Sequence, residues 1–227
     1  MNWQRFFCDL CGMDLPNLVY CYDAYCGWCY GFSAVMKKIV EEYKDTLQCE
    51  VLSGGMILPP KPVHIRVSAN YISKAYTQVE ETTGVKFGED YLWHIKNPED
   101  SDWYPNSEKP AIALCIFKEY FPDKAVEIAS DIQHALHYEG RDLTDDEAYR
   151  HLLEKYDIQP EAFYTKLRSD EYKNAAWSEF EFVKELQVNG YPTVFVQTGQ
   201  LKYHMVARGF TSFEVLKERI DLVLADL

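Results

Sequence analysis

Two cysteines separated by two residues, Cys26-Gly27-Trp28-Cys29, are the side chains of this sequence best placed to do chemistry. Ahead of them, Leu18-Val19-Tyr20-Cys21-Tyr22 is apolar, aromatic and β-branched enough to predict a short buried strand. Behind them, Phe32, Val35, Met36, Ile39 and Val40 recur at helical spacing up to about Tyr43. The pair therefore falls at the first turn of a helix. One sulfur sits at the exposed N-terminus and the other one turn inward. Free backbone N–H groups and the helix dipole favour negative charge there, which marks Cys26 as the attacking sulfur. A thiolate beside a second thiol is the minimum equipment for thiol–disulfide exchange.

The elements that must hold this pair read in a definite order. Cys49-Glu50-Val51-Leu52-Ser53 predicts a second strand, ended by Gly54-Gly55, and Pro59-Pro60-Lys61-Pro62 marks a domain border. From there to about Trp177 only helical patterns occur. One runs from Val67 to Thr83 and stops at Gly84; another, from Ala111 to Phe121, is apolar almost all round. Ala125 to Tyr138 follows, ending at Gly140. Thr144 and Glu147 predict a capping box for a helix near 145–156, with shorter and longer helices at Glu161–Leu167 and Glu171–Leu186. Strand patterns then return at Thr193–Gln197 and Leu201–Val206, joined as a hairpin. Thr211 and Glu214 predict a second capping box, opening an amphipathic helix with Phe213, Leu216, Ile220, Val223 and Leu224 on one face. A βαβ half and a ββα half with helical sequence between them predict an α/β thioredoxin fold with an inserted all-helical domain. The expected division is 14–60 plus 178–227 for the thioredoxin-like part, 61–177 for the insertion, and 1–13 for an N-terminal extension.

With the order of elements and the CxxC in hand, the chain resembles the DsbA-like branch of the thioredoxin superfamily. Gly190-Tyr191-Pro192-Thr193, directly before the third strand, adds to this, because the resemblance implies a cis-proline facing the two sulfurs. The wording Tyr22-Asp23-Ala24-Tyr25-Cys26-Gly27-Trp28-Cys29-Tyr30-Gly31-Phe32 is similar to FrnE-like members, described as disulfide oxidoreductases or isomerases. The resemblance implies that Cys26 and Cys29 are catalytic and act through a mixed disulfide. Gly27, Trp28, Asp23 and Pro192 are the supporting residues. Tyr25, Tyr30, Tyr191 and Thr193 are the candidate substrate-binding residues. Asp23 reads either as a proton relay to Cys29 or as an ordinary strand-end carboxylate. Gly27-Trp28 lacks the histidine of the strongly oxidising relatives, which implies a milder oxidant.

Charge and cysteine usage bound the partners. A net charge of −13 repels phosphate backbones and anionic lipid, so neither nucleic acid nor a membrane surface is expected. No apolar run is long enough to span a bilayer, and Asp9 and Asp14 interrupt any signal-like segment. A cytoplasmic setting is the expectation, with disulfide-containing proteins or peptides and a thiol reductant or reductase as partners. No resident cofactor is expected; glutathione is a candidate co-substrate. Of the seven cysteines, Cys21, Cys49 and Cys115 read as small buried hydrophobes.

Three alternatives stand beside exchange. Cys8, Cys11, Cys26 and Cys29 approach the spacing of a zinc site, though no metal is the expected outcome. Kappa-class glutathione transferases and hydroxychromene-carboxylate isomerases resemble the same architecture but typically carry serine at the nucleophile position. A non-catalytic peptide-binding module is the third. The six histidines show no metal-ligand spacing, and His134 and His137 read as a solvated or core-satisfied pair.

Overall fold

Residues 16–227 are described in a computed structural model of the chain. Cys8, Cys11 and the expected extension 1–13 lie outside the described residues. So does any zinc site that would include those two cysteines.

Strand β1 (Asn17–Tyr22) runs into helix α1 (Gly27–Glu42), which returns the chain to β2 (Gln48–Ser53). Helices α2 (Arg66–Thr83), α3 (Glu89–Lys96), α4 (Glu108–Tyr120), α5 (Ala125–His137), α6 (Arg150–Lys155), α7 (Pro160–Leu167) and α8 (Asp170–Glu185) follow. The hairpin β3 (Thr193–Gly199) and β4 (Lys202–Arg208) and helix α9 (Phe213–Ala225) complete the chain. The sheet has the order β2-β1-β3-β4, with β1 parallel to β2 and antiparallel to β3. Apart from α3, the element order is the one the sequence predicts.

Strand β1 is the hub because both of its faces are apolar. Leu18, Tyr20 and Tyr22 pack under Phe32, Met36 and Ile39 of α1, while Val19 and Cys21 pack with Leu52, Val183 and Phe195 on the other face. A strand buried on both sides holds a helix start rigidly, and α1 starts on the residue after Cys26. Helix α5 packs along α1, and α4 lies against both α5 and α8. The outer edge of β2 is closed by charge. Lys118 Nζ donates to the Val51 carbonyl at 2.8 Å, Glu179 accepts the Ser53 N–H at 2.8 Å, and the two side chains form an ion pair. Unpaired edge groups are thereby satisfied by two helices of the central block.

Three local expectations are corrected. Helix α3 has eight residues and escaped the periodicity reading; its signals were Glu89 and Asp90 in the first turn and His94 and Lys96 in the last. Asp145, not Thr144, caps the next segment by accepting the Glu147 N–H, because Thr144 is taken by the Asp142 carboxylate. That segment is a 3-10 turn, Asp146–Tyr149, before α6. Ser212, not Thr211, caps α9 by accepting the Val215 N–H. The glycine stop at the end of α2 is as expected, with Gly84 at φ 80°. No described helix is long and apolar enough to cross a membrane.

Candidate active site

Cys26 is the N-cap residue of α1, with extended backbone (φ −81°, ψ 108°), and its sulfur accepts the Cys29 N–H at 3.3 Å. A thiol in this place occupies the position where serine or aspartate usually caps, facing the unpaired N–H groups of the first turn. The same sulfur lies 3.5 Å from the carbonyl oxygen of Tyr191, toward which it can donate its S–H. The Tyr191–Pro192 peptide bond is cis. Cys29 sits one turn further on with no exposed surface, and Cys26 keeps 6% of its own. Burial, and then the neighbouring Cys26, push the Cys29 thiol well above its ordinary value. Both sulfurs are free thiols, as are Cys21, Cys49 and Cys115.

The loop before Pro192 is locked to the end of β2. Tyr191 donates its hydroxyl to the Gly54 carbonyl at 2.8 Å, and a Cβ at position 54 would stand 2.1 Å from the tyrosine ring. Only glycine allows that approach. The Tyr191 N–H donates to no group among the described residues. On the other side, the ring of Phe87 stands 3.3 Å from where a Cβ on Gly27 would be, so the helical block reaches the motif itself.

Asp23 organises the turn between β1 and α1. Its Oδ1 accepts the Tyr25 N–H and the Ser107 hydroxyl, each at 3.0 Å, and its Oδ2 accepts the Met56 N–H at 2.7 Å. The carboxyl is buried, and among the described residues no cation pairs with it. Burial pushes it above the usual carboxylate range, opposed by these hydrogen bonds. Gln133 on α5 donates to the Asp23 carbonyl at 3.0 Å and lies 3.5 Å from the Cys26 carbonyl. Three residues from three separate segments, Met56, Ser107 and Gln133, thus fix the turn that presents Cys26.

The expected site residues divide into a rim and a floor. Trp28, Tyr25 and Tyr191 are half-buried around the motif. Tyr30 is buried and donates its hydroxyl to the Lys86 carbonyl at 3.0 Å; Thr193 is buried and donates to the Gly190 carbonyl at 2.8 Å. The two histidines of α5 do not form a pair. His134 is exposed and stacks on Tyr138, whereas His137 lies in a cage of Tyr30, Phe87 and Tyr91 with ring centroids 5.1–5.3 Å away. Neither ring nitrogen of His137 has a hydrogen-bond partner among the described residues, and burial lowers its pKa to about 3. Ser107, Gln133, Gly54 and His137 are the site neighbours that sequence reasoning missed. Among the described residues no group of three or more His, Cys, Asp or Glu is placed to hold a metal ion.

A family model described as a DSBA-like thioredoxin domain matches residues 18–221. The chain belongs to this family. A proposed protein disulfide isomerase from Nitrosomonas europaea superposes with a TM-score of 0.82 at 23% identity, covering 94% of this chain and 99% of that one. The cytosolic disulfide reductase DsbM from Pseudomonas aeruginosa superposes with a TM-score of 0.70 at 22% identity, covering 92% and 98%. DsbM has also been solved with glutathione. A 2-hydroxychromene-2-carboxylate isomerase superposes with a TM-score of 0.61 at 14% identity, covering 92% and 93%. At these identities the likeness is one of fold. No curated protein sequence matches the chain. The fold of this DSBA-like chain is that of the family's thiol–disulfide oxidoreductases, with helices inserted between β2 and β3.

Proposed function

We propose that this protein is a thiol–disulfide oxidoreductase or disulfide isomerase that works through Cys26 and Cys29. The observation that carries the reading is the placement of the two sulfurs. Cys26 caps α1 against the Tyr191 carbonyl and the cis-proline, while Cys29 is sealed one turn inside. The Cys26 thiolate attacks one sulfur of a substrate disulfide and forms a mixed disulfide; the other substrate sulfur leaves and takes a proton. Cys29 then gives up its proton and attacks the Cys26 sulfur. The Cys26–Cys29 bond forms and the second substrate thiol is released. In the reductive direction the same steps run backwards.

Gly27 and Trp28 shape the motif, Asp23 holds its turn, and Pro192 presents Tyr191. The free Tyr191 N–H is the group on which an extended substrate can bond in β fashion. Tyr25 and Tyr191 meet the substrate at the rim, and Tyr30 and Thr193 support it from beneath. Residues 14–60 and 178–227 carry the sulfurs in this reading, and 61–177 is an insertion that contributes Ser107 and Gln133. Disulfide-bearing proteins or peptides are the substrates, and a thiol reductant or reductase is the partner, in the cytoplasm. The fold shared with DsbM, a protein solved with glutathione, supports glutathione as co-substrate.

Replacing the two cysteines one at a time by serine tests the reading. Cys29→Ser accumulates trapped mixed disulfides at Cys26, and Cys26→Ser forms none. If both variants keep insulin-disulfide turnover, the exchange reading is wrong. If Cys29→Ser loses nothing and glutathione-dependent isomerisation persists, the transferase or isomerase alternative replaces it.

A further inference from the structure

Strand β1 puts a phenol under the catalytic pair that the exchange steps above do not use. Tyr20 lies on the α1 side of the strand, its ring edge-on to Phe32 at 6.0 Å between centroids. Phe32 stands one turn after Cys29, so Tyr20 lies under the first turns of α1 and shares their apolar core with both sulfurs. Its buried hydroxyl feels the charge of the Cys29 sulfur but is out of hydrogen-bond geometry with every group among the described residues. A buried hydroxyl without a partner is costly and rare in folded proteins, and such exceptions concentrate where chemistry needs the group.

The acid nearest in sequence is committed elsewhere. Asp23 has its Oδ1 taken by Tyr25 and Ser107 and its Oδ2 by Met56. Cys29 is the buried sulfur that must become a thiolate, either to attack the mixed disulfide or to leave when the Cys26–Cys29 disulfide is opened. The titratable groups around it are Cys26 on its own helix, Tyr20 and Tyr22 on β1, Asp23 on the turn, and Tyr191 before β3. Among the described residues no cation is near.

We infer that the Tyr20 hydroxyl is the hydrogen-bond donor that stabilises the Cys29 thiolate each time that sulfur attacks or leaves. The inference rests on the exchange reading of the preceding subsection. Burial keeps the Tyr20 phenol protonated far above neutral pH, so it stays a donor throughout the working range. The resting Cys29 thiol asks little of it, which fits an unpaired hydroxyl in the reduced form. When Cys29 loses its proton, the O–H has a charged acceptor within reach, and charge-assisted bonds of this kind are the strong ones. The proton itself leaves through other groups; the phenol keeps its own.

The experiment uses the full chain with Cys8→Ser and Cys11→Ser, mixed with 5,5′-dithiobis(2-nitrobenzoic acid) in a stopped-flow instrument. The first thionitrobenzoate reports attack by Cys26 and the second reports resolution by Cys29. Tyr20→Phe keeps the ring and removes only the hydroxyl. It leaves the first release unchanged and slows the second about three- to tenfold between pH 6 and 8. The estimate combines a roughly tenfold smaller thiolate fraction with partial compensation by a more nucleophilic sulfur. Its thermal midpoint does not fall, since no existing hydrogen bond is lost. Tyr22→Phe removes the neighbouring unpaired hydroxyl and slows neither phase. A second release in Tyr20→Phe at the parent rate overturns the inference. Equal slowing in Tyr22→Phe, or slowing that accompanies a lowered thermal midpoint, overturns it too, because packing then explains the effect. If Cys29→Ser still gives a second release, the exchange reading itself fails and takes the inference with it.

Discussion

The outer edge of β2 and the start of α1 bury polar groups in opposite ways. At the edge, Lys118 and Glu179 neutralise one another and satisfy two strand groups between them. The pairing raises the Lys118 ammonium above its ordinary value in spite of burial. At the start of α1, among the described residues, Asp23 has neutral donors and no cation, His137 has no hydrogen-bond partner, and the Tyr20, Tyr22 and Tyr25 hydroxyls are unpaired. The first arrangement is glue. The second costs stability and leaves uncommitted donors and acceptors around two thiols, the pattern expected where a fold is shaped for chemistry.

Breaking the ion pair should give the largest effect on the fold and the least on the chemistry. Lys118→Met leaves the Glu179 carboxylate buried without its cation and the Val51 carbonyl without its donor. A loss of about 3–5 kcal/mol is expected by urea denaturation, with exchange per folded molecule unchanged. Lys118→Met combined with Glu179→Gln should recover part of the loss, because glutamine still accepts the Ser53 N–H. A stable Lys118→Met protein with impaired exchange would erase the distinction between the two regions.

His137 sharpens the contrast through pH. Its folded pKa is lowered to about 3, whereas a histidine in the unfolded chain titrates near 6.5. Between those values the unfolded chain binds a proton that the folded one does not. The stability tied to a neutral His137 is therefore complete above about pH 6.5 and is lost as pH falls below it. Replacing His137 by Phe, which suits the aromatic cage, should remove roughly 2 kcal/mol of the stability lost between pH 7.5 and 5. Denaturant midpoints at the two pH values, compared with the parent, measure it. Equal acid sensitivity in both proteins would show that the imidazole is paired or protonated in the fold.

Ser107→Ala is the smallest change and the one most specific to the site. It removes one donor to Asp23 and the acceptor of the Ile57 N–H. A stability loss of about 1–2 kcal/mol should come with a roughly 2- to 10-fold slower attack by Cys26, because the turn that presents it loosens. Rapid alkylation of Cys26 followed by peptide mapping reads the second quantity. Unchanged alkylation would place Ser107 with the glue.

Much of the described chain was legible in the sequence, because helix starts, strand alternation and glycine stops are local chemistry. The strand before Cys26 and the glycine stop at Gly84 stand where the patterns put them. The thiol that caps α1 follows from the motif's place between a strand pattern and a helix pattern. Even local chemistry blurs where adjacent residues can do the same task. Thr211 and Ser212 are both competent caps, and the path of the chain after β4 chose Ser212. The same holds for Thr144 and Asp145, where the Asp142 carboxylate removed the first candidate.

What the sequence alone determined was therefore the order of elements, the pair of sulfurs and which of them lies at the helix start. Only the tertiary structure decided what surrounds them. Ser107 meets Asp23 from 84 residues away and Gln133 from 110, distances over which no periodicity or spacing carries information. His134 and His137 share a helix and differ only in which side meets α1, so packing alone separated a solvated ring from a caged one. Tyr20 reads from sequence as one more apolar strand residue. Its hydroxyl acquires meaning only because folding brings it near Cys29 and leaves it unpaired among the described residues, since burial removes the water that would otherwise satisfy both groups.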